Sequence, residues 1–441
     1  MTYKSLTITI IVFLLVGAGL GYVLFRPKSA PAPVEESNPS QDFFPVSKVG
    51  DATAPQKTKV GSGTGEVATS TLEGLTHTTA SSTREGVART PTLRLLVSIP
   101  TSGATILDRK KQTVVRYLER ETGHIQEIAL DEKVPTRVTN DTLTKSFRVW
   151  WGAAGESLLI ERFADKVNSV ETLFTQITHP KATSTGIIGQ ASYVPTYSST
   201  VGTVETTLLP PSLAEIALSP DRKKVFYLVH ANDGILGIVT DLLQSAAIRQ
   251  APIFQSSFTE WLPEWAGENL ITLTTRASAS VPGYLYFLNP STRAFTKILT
   301  DIPGLTTRTD PSGKHILYSS SPRVGLETHL YDVVRHASSA FPVQTLPEKC
   351  VFSTHEAVVY CAVPEQIPVA SYPDAWYKGV VQFSDSMWKI DLETSAATLL
   401  VQPTTIRKDQ VIDAIDLELS AGDTSLIFRN KKDGSVWLLT L

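Results

Sequence analysis

The chain has 441 residues with a formal net charge of −3 and 19% charged residues. It lacks the clustered basic face that nucleic-acid binding requires, so no nucleic acid is expected as a partner. Its two cysteines exclude a Cys-x-x-Cys zinc or redox pair, and its two methionines exclude a Met-rich adaptive groove.

The first element is apolar. Leu6 to Phe25 is an uncharged run of about twenty residues, the length that spans a bilayer. Lys4 precedes it, and Arg26 and Lys28 follow. We read residues 1–26 as a single-pass transmembrane anchor. A cleaved signal peptide ending near Ala30-Pro31-Ala32-Pro33 is the alternative. Positive charge on both flanks leaves orientation undecided by charge alone. Gly17 and Gly21 have the spacing of a helix-packing pair.

Residues 27–92 are rich in Ser, Thr, Pro, Ala and Gly and carry few large apolar side chains. Such a segment buries too little surface to offset its ordering entropy, so a flexible linker is expected. Gly61-Ser62-Gly63-Thr64-Gly65 is no phosphate loop, because no Lys-Ser/Thr follows it. Phe43-Phe44-Pro45-Val46 is an apolar island within the linker.

From Leu93 onward, short Val/Ile/Leu/Tyr/Phe runs alternate with turn residues, the pattern of an all-β domain. One turn-and-strand unit recurs as Ser219-Pro220-Asp221 leading to Val225-Phe226-Tyr227, and as Asp310-Pro311-Ser312-Gly313 leading to Ile316-Leu317-Tyr318. It returns as Ala421-Gly422-Asp423 leading to Leu426-Ile427-Phe428. Pro, Gly and Asp set the turn, and the β-branched and aromatic residues fill the strand. With Val114, Leu158, Val225, Ile271, Ile316, Val358 and Leu426 as inner-strand markers, the steps are 44, 67, 46, 45, 42 and 68 residues. A base period near 42–46 fits four strands per propeller blade. The fold class expected is an all-β propeller over residues 93–441, with seven blades, six and eight being the alternatives. Val436–Leu441 reads as a third strand. Leu93–Ile99 is the candidate to complete that last blade and remove the free edges.

The Ser-Pro-Asp-x-x-x-Val-x-Tyr units resemble TolB-like propeller repeats over most of Leu93–Leu441. The later half also resembles membrane-anchored propeller proteins of candidate-phylum bacteria. That likeness rests on Lys349-Cys350-Val351, Tyr360-Cys361-Ala362-Val363-Pro364, Tyr372-Pro373-Asp374-x-Trp376-Tyr377-x-Gly379 and Lys431-Lys432-Asp433 before Trp437. The resemblance implies the fold and an anchored extracytoplasmic domain. It implies no particular activity, since fold does not carry function.

A hairpin centred between His355 and Glu356 puts Cys350 opposite Cys361 on neighbouring strands, within disulfide range. A disulfide is expected there, consistent with an oxidising compartment. Two buried thiols are the alternative. No metal is expected, because no further ligand completes a set.

No catalytic residue is assigned. A Gly-x-Ser-x-Gly elbow, a His-Glu-x-x-His pair and a calcium loop are all missing. Asp374, Asp385 and Asp391 are carboxylates that could meet as an acid/base pair, or could be solvated turn residues. No cofactor is expected. The two long steps hold insertions. His179 to Pro211, with Tyr193 and Tyr197, reads as a mobile excursion. Ser371 to Phe383 offers Tyr372, Asp374, Trp376, Tyr377 and Phe383 as binding residues, a composition typical of hot spots. Its alternative is a segment in which Trp376 and Tyr377 fold back to cap the blade. The functional expectation is a membrane-anchored extracytoplasmic module binding an envelope protein, peptide or glycan. An envelope hydrolase with its site in the propeller channel is the alternative, and a structural stalk cap is a third reading.

Overall fold

The computed structural model describes residues 90–110, 112–165, 169–179, 201–244, 251–321, 325–406 and 411–441. The anchor at Leu6–Phe25, the linker up to residue 89, the Phe43–Val46 island, Gly61–Gly65, Tyr193 and Tyr197 lie outside the described residues. Among the described residues no helix is long and apolar enough to cross a membrane.

Among the described residues the strands form seven four-stranded antiparallel sheets. Each sheet is one blade, so the count is seven rather than six or eight. Blade 1 starts at Thr101–Asp108, blade 2 at Ser146–Trp151 and blade 3 at Leu213–Leu218. Blade 4 starts at Trp261–Gly267, blade 5 at Thr307–Thr309, blade 6 at Cys350–Phe352 and blade 7 at Ala414–Leu419. First strands of neighbouring blades approach one another, as those of blades 1 and 2 and of blades 3 and 4 do. They therefore surround the axis.

The ring closes as the sequence anticipates. Thr92–Val97 pairs antiparallel with Val436–Thr440, giving the last blade its outer strand from the start of the domain. Closure pairs an edge that would otherwise stand open. It also packs Leu96 and Val97 with Val436 and Leu438 and with Val115 of blade 1.

The inner-strand markers Val114, Leu158, Val225, Ile271, Ile316, Val358 and Leu426 each lie on the second strand of a blade, one of the two inner strands of its sheet. Burial explains why that strand gave the clearest repeat. The first strand turns one face to the axial channel and carries charged residues there. The second strand is covered on both faces and reads as a continuous apolar run; Val358–Pro364 is buried throughout. Core clusters then form between successive blades. One joins Phe226 and Leu228 of blade 3 to Trp261, Trp265 and Leu273 of blade 4.

The two insertions occupy different places. The first falls between the third and fourth strands of blade 2, Val170–Thr178 and Thr203–Leu208, and residues 180–200 within it lie outside the described residues. The second falls between the second and third strands of blade 6, Val358–Pro364 and Asp385–Asp391.

Candidate functional site: the axial channel and the strap beside it

Two cavities occupy the axis. One, of about 480 Å³, is lined by blades 1, 2, 3 and 7 and includes Thr105, Arg148, Trp150, Arg222, Glu418 and Arg429. The other, of about 650 Å³, is lined by first strands of blades 2, 3, 4, 5 and 7, and by Glu348, Trp376, Tyr377 and Lys431. Arg148 and Asp416 border both.

Charged side chains from first strands (Arg148, Glu215, Glu264, Arg308, Asp416 and Glu418) meet others from second strands and turns (Arg222, Arg276 and Arg429) around this lining. Arg222 bonds Glu418 at 2.6 Å and Thr105 at 2.5 Å. Arg429 grips Asp416 through two nitrogens at 2.6 and 2.9 Å. Arg308 bonds Glu264 at 2.8 Å, and Arg276 bonds both Glu215 and Glu260. Arg148 differs. Its closest carboxylates, Glu215 and Glu161, stand at 3.7 and 3.9 Å, beyond direct hydrogen bonding. Its guanidinium lies 4.4 Å from the Trp150 ring centre, and half of its side chain is exposed. Burial pushes the Glu161 carboxyl above its ordinary range; Arg148 draws it back and Glu215 adds to the rise.

The blade 6 insertion forms one wall. It is a strap, held from several blades. Ser371 forms a parallel bridge to Gly325. Asp374 accepts hydrogen bonds from the Ala279 N–H at 2.7 Å and the Ser278 hydroxyl at 3.2 Å, both from blade 4. Gly304, at φ +70°, lets the chain pass close: a Cβ there would sit 2.7 Å from the Tyr372 carbonyl oxygen. The strap carries a short helix, Asp374–Tyr377.

The five residues offered as binding residues separate accordingly. Tyr372, Trp376 and Phe383 are buried in one cluster with Leu326, Leu346 and Val381. Asp374 clamps blade 4. Tyr377 remains 41% exposed, and its hydroxyl donates to Glu348 at the channel. Burial pushes the Glu348 carboxyl up, with the Tyr377 bond opposing; burial and the Glu348 charge both push the Tyr377 phenol up. The segment thus folds back as a cap, and Trp376 and Tyr377 reach the cavity wall, with Tyr377 the exposed one of the two.

Beneath the strap lies a fully buried ionic cluster. The Lys349 ammonium meets Asp413 at 2.6 Å, Asp385 at 2.8 Å and the Ala414 carbonyl at 2.8 Å. All three charged side chains are at most 1% exposed. Asp413 also accepts the Trp376 indole N–H at 3.0 Å and the Phe383 N–H at 3.2 Å. The Trp376 and Phe383 ring centres stand 5.1 and 5.4 Å from the Lys349 nitrogen. Lys431 stands 3.9 Å from the Trp376 ring centre and donates to the Trp376 carbonyl. Burial lowers the Lys431 pKa. Burial also pushes the Asp385 carboxyl up to about 6, against the pull of Lys349.

The three carboxylates considered as an acid/base group do not meet. Asp385 is buried in this cluster, Asp374 is committed to blade 4, and Asp391 binds its own turn through Thr394. Cys350 and Cys361 pair in register and are joined by a disulfide, with Cα atoms 4.1 Å apart. Among the described residues no group of His, Cys, Asp and Glu is arranged to hold a metal.

Sequence reasoning missed the channel arginines and Asp413. The signal for part of the lining was present: Arg148, Glu215 and Glu264 each interrupt a largely apolar first strand.

No family model matches the chain, and no curated protein matches it in sequence. Solved structures resemble it in fold. An oligogalacturonate lyase in complex with manganese is 9% identical with a TM-score of 0.46, covering 80% of this chain and 98% of that one. TolB from Acinetobacter baumannii is 13% identical with a TM-score of 0.39, covering 66% of this chain and 64% of that one. The Cps50 (Swd1) β-propeller domain of Myceliophteria thermophila is 9% identical with a TM-score of 0.46, covering 79% of this chain and all of that one. At these identities the likeness concerns the β-propeller fold alone.

Proposed function

We propose that the propeller is a binding module of the cell envelope that takes a charged peptide or glycan segment into its axial channel. The observation that carries this reading is the lining of the two axial cavities. Cations and carboxylates meet around them, and Arg148, common to both, has no carboxylate within hydrogen-bond distance. A channel lined in this way recognises polar ligands through charge-assisted hydrogen bonds. The Leu6–Phe25 run and the linker behind it favour tethering at a membrane, and the Cys350–Cys361 disulfide favours an oxidising, extracytoplasmic side. The resemblance to membrane-anchored propellers points the same way. The hydrolase alternative is less favoured, because Glu264, Asp416 and Glu418 are each held by an arginine within 2.8 Å.

The test is calorimetric titration of a panel of charged oligopeptides and uronate-containing oligosaccharides. The wild type should bind at least one class. Arg148→Ala, outside the buried core clusters though stacked on Trp150, should weaken that binding about tenfold or more, the value of one lost charge-assisted bond. Equal binding by the variant would remove the channel from the proposal.

A further inference from the structure

The buried cluster has the composition of a reaction centre. Lys349 is the last residue before the first strand of blade 6, and Asp385 is the first residue of its third strand. Their nitrogen and oxygen stand 2.8 Å apart in a site with no solvent exposure. One oxygen of Asp385 accepts the Ala414 N–H at 2.7 Å, while the other, Oδ1, is buried with no partner. A buried carboxylate oxygen without a donor is costly, and so is an ammonium between two carboxylates. Asp413, by contrast, is held by Lys349, the Trp376 indole and a backbone N–H.

We propose that Lys349 and Asp385 condense to an intramolecular amide, with Asp413 carrying the proton, so that blade 6 bears a covalent cross-link beside its disulfide. The ammonium of Lys349 first passes a proton to Asp385, leaving an amine facing a neutral carboxylic acid. Burial favours that neutral pair over two desolvated charges. The amine lone pair attacks Cγ of Asp385, forming the C–N bond and moving the carbonyl π electrons onto oxygen. Asp413 takes a proton from the nitrogen and gives it to the departing hydroxyl. The C–O bond breaks, one water leaves, and Asp413 is again a carboxylate. No oxidant, cofactor or second substrate is needed. Proximity replaces activation, since reacting groups fixed in contact reach very high effective concentrations. A dry pocket walled by Trp376 and Phe383 disfavours the reverse hydrolysis. The raised pKa of Asp385 agrees with the neutral acid being its accessible form.

The product would span the blade. The disulfide ties the first strand to the second, and the amide would tie the first to the third.

Mass spectrometry decides it. The full-length chain, folded, then reduced and denatured, is expected to weigh one water less than its sequence. Trypsin should fail to cut after Lys349 and should release residues 336–378 joined to residues 379–389. Asp385→Ala should restore full mass. Asp385→Asn should give the same branched peptide by expelling ammonia instead of water. Asp413→Asn should lower the yield of cross-link at least tenfold. A wild-type chain of full mass, cleaved normally after Lys349 although its disulfide is formed and its melt is cooperative, would overturn the proposal. That result stands even if a variant fails to fold. Undiminished cross-linking in Asp413→Asn would overturn the role given to Asp413.

Discussion

Lys349 shows how one residue can decide the local fold. Its charge is at the bottom of a pocket where two carboxylates, an indole and a backbone carbonyl converge. Replacing it with Met removes the nitrogen that pairs with Asp385 and Asp413, and with it the proposed amide, leaving both carboxylates buried without that partner. We expect Lys349→Met to lower stability by about 3–5 kcal/mol in denaturant unfolding, the range for a broken buried pair. Lys389→Met is the control. Its pair with Glu356 is 3.4 Å long and partly exposed on both sides, so the loss there should stay below about 1 kcal/mol. Trp376→Phe keeps the ring but removes the donor to Asp413. It should cost about 1–3 kcal/mol, with the fold retained by circular dichroism. None of this was legible in the sequence. Lys349 stood out there only as part of a Lys-Cys-Val motif. Asp413 sits sixty-four positions away in a different blade, and nothing local marks it. Pairings of that kind are set by the ring, not by neighbouring residues.

At the scale of the element, local chemistry was readable and the fate of the long insertion was not. The hairpin register follows from the turn between its strands, so the cysteines met where counting placed them. Breaking that bond with Cys350→Ser should cost about 2–3 kcal/mol, given the short loop it closes. The repeat turns were also legible. Asp221 accepts from the Ser219 hydroxyl and the Lys223 N–H, and Asp310 from the His315 N–H. Comparable turns later in blades 5 and 6 use Asp332 and Asp391 to accept backbone N–H groups. Those hydrogen bonds hold both carboxyls below their ordinary value of 3.8. A depressed folded pKa gives stability that is present above the ordinary value and is lost as pH falls through the folded one. The acid limb of stability below pH 3.8 should therefore flatten in an Asp332→Ala/Asp391→Ala variant, as followed by thermal melting across pH. The Ser371–Phe383 insertion was ambiguous because its aromatic residues suit an interface and a core equally. The deciding contacts, Asp374 to Ala279 and Trp376 to Asp413, come from other blades.

For the whole molecule, periodicity carried the fold. The spacing of second strands gave the blade count, and the strand at Thr92–Val97 closes the ring. Deleting residues 92–97 should leave Val436–Thr440 as an open edge, and the expected result is loss of the single cooperative melt. The channel was not readable, because isolated charges in apolar strands become a ring only when the blades close. Ligand is expected to enter that ring, which hydrogen exchange with and without the tightest ligand from the charged panel would report. New protection should appear along Thr101–Asp108, Ser146–Trp151, Leu213–Leu218 and the Asp374–Tyr377 helix. Protection confined to outer strands such as Phe295–Pro303 or Ala337–Ala340, with the channel strands unchanged, would contradict it.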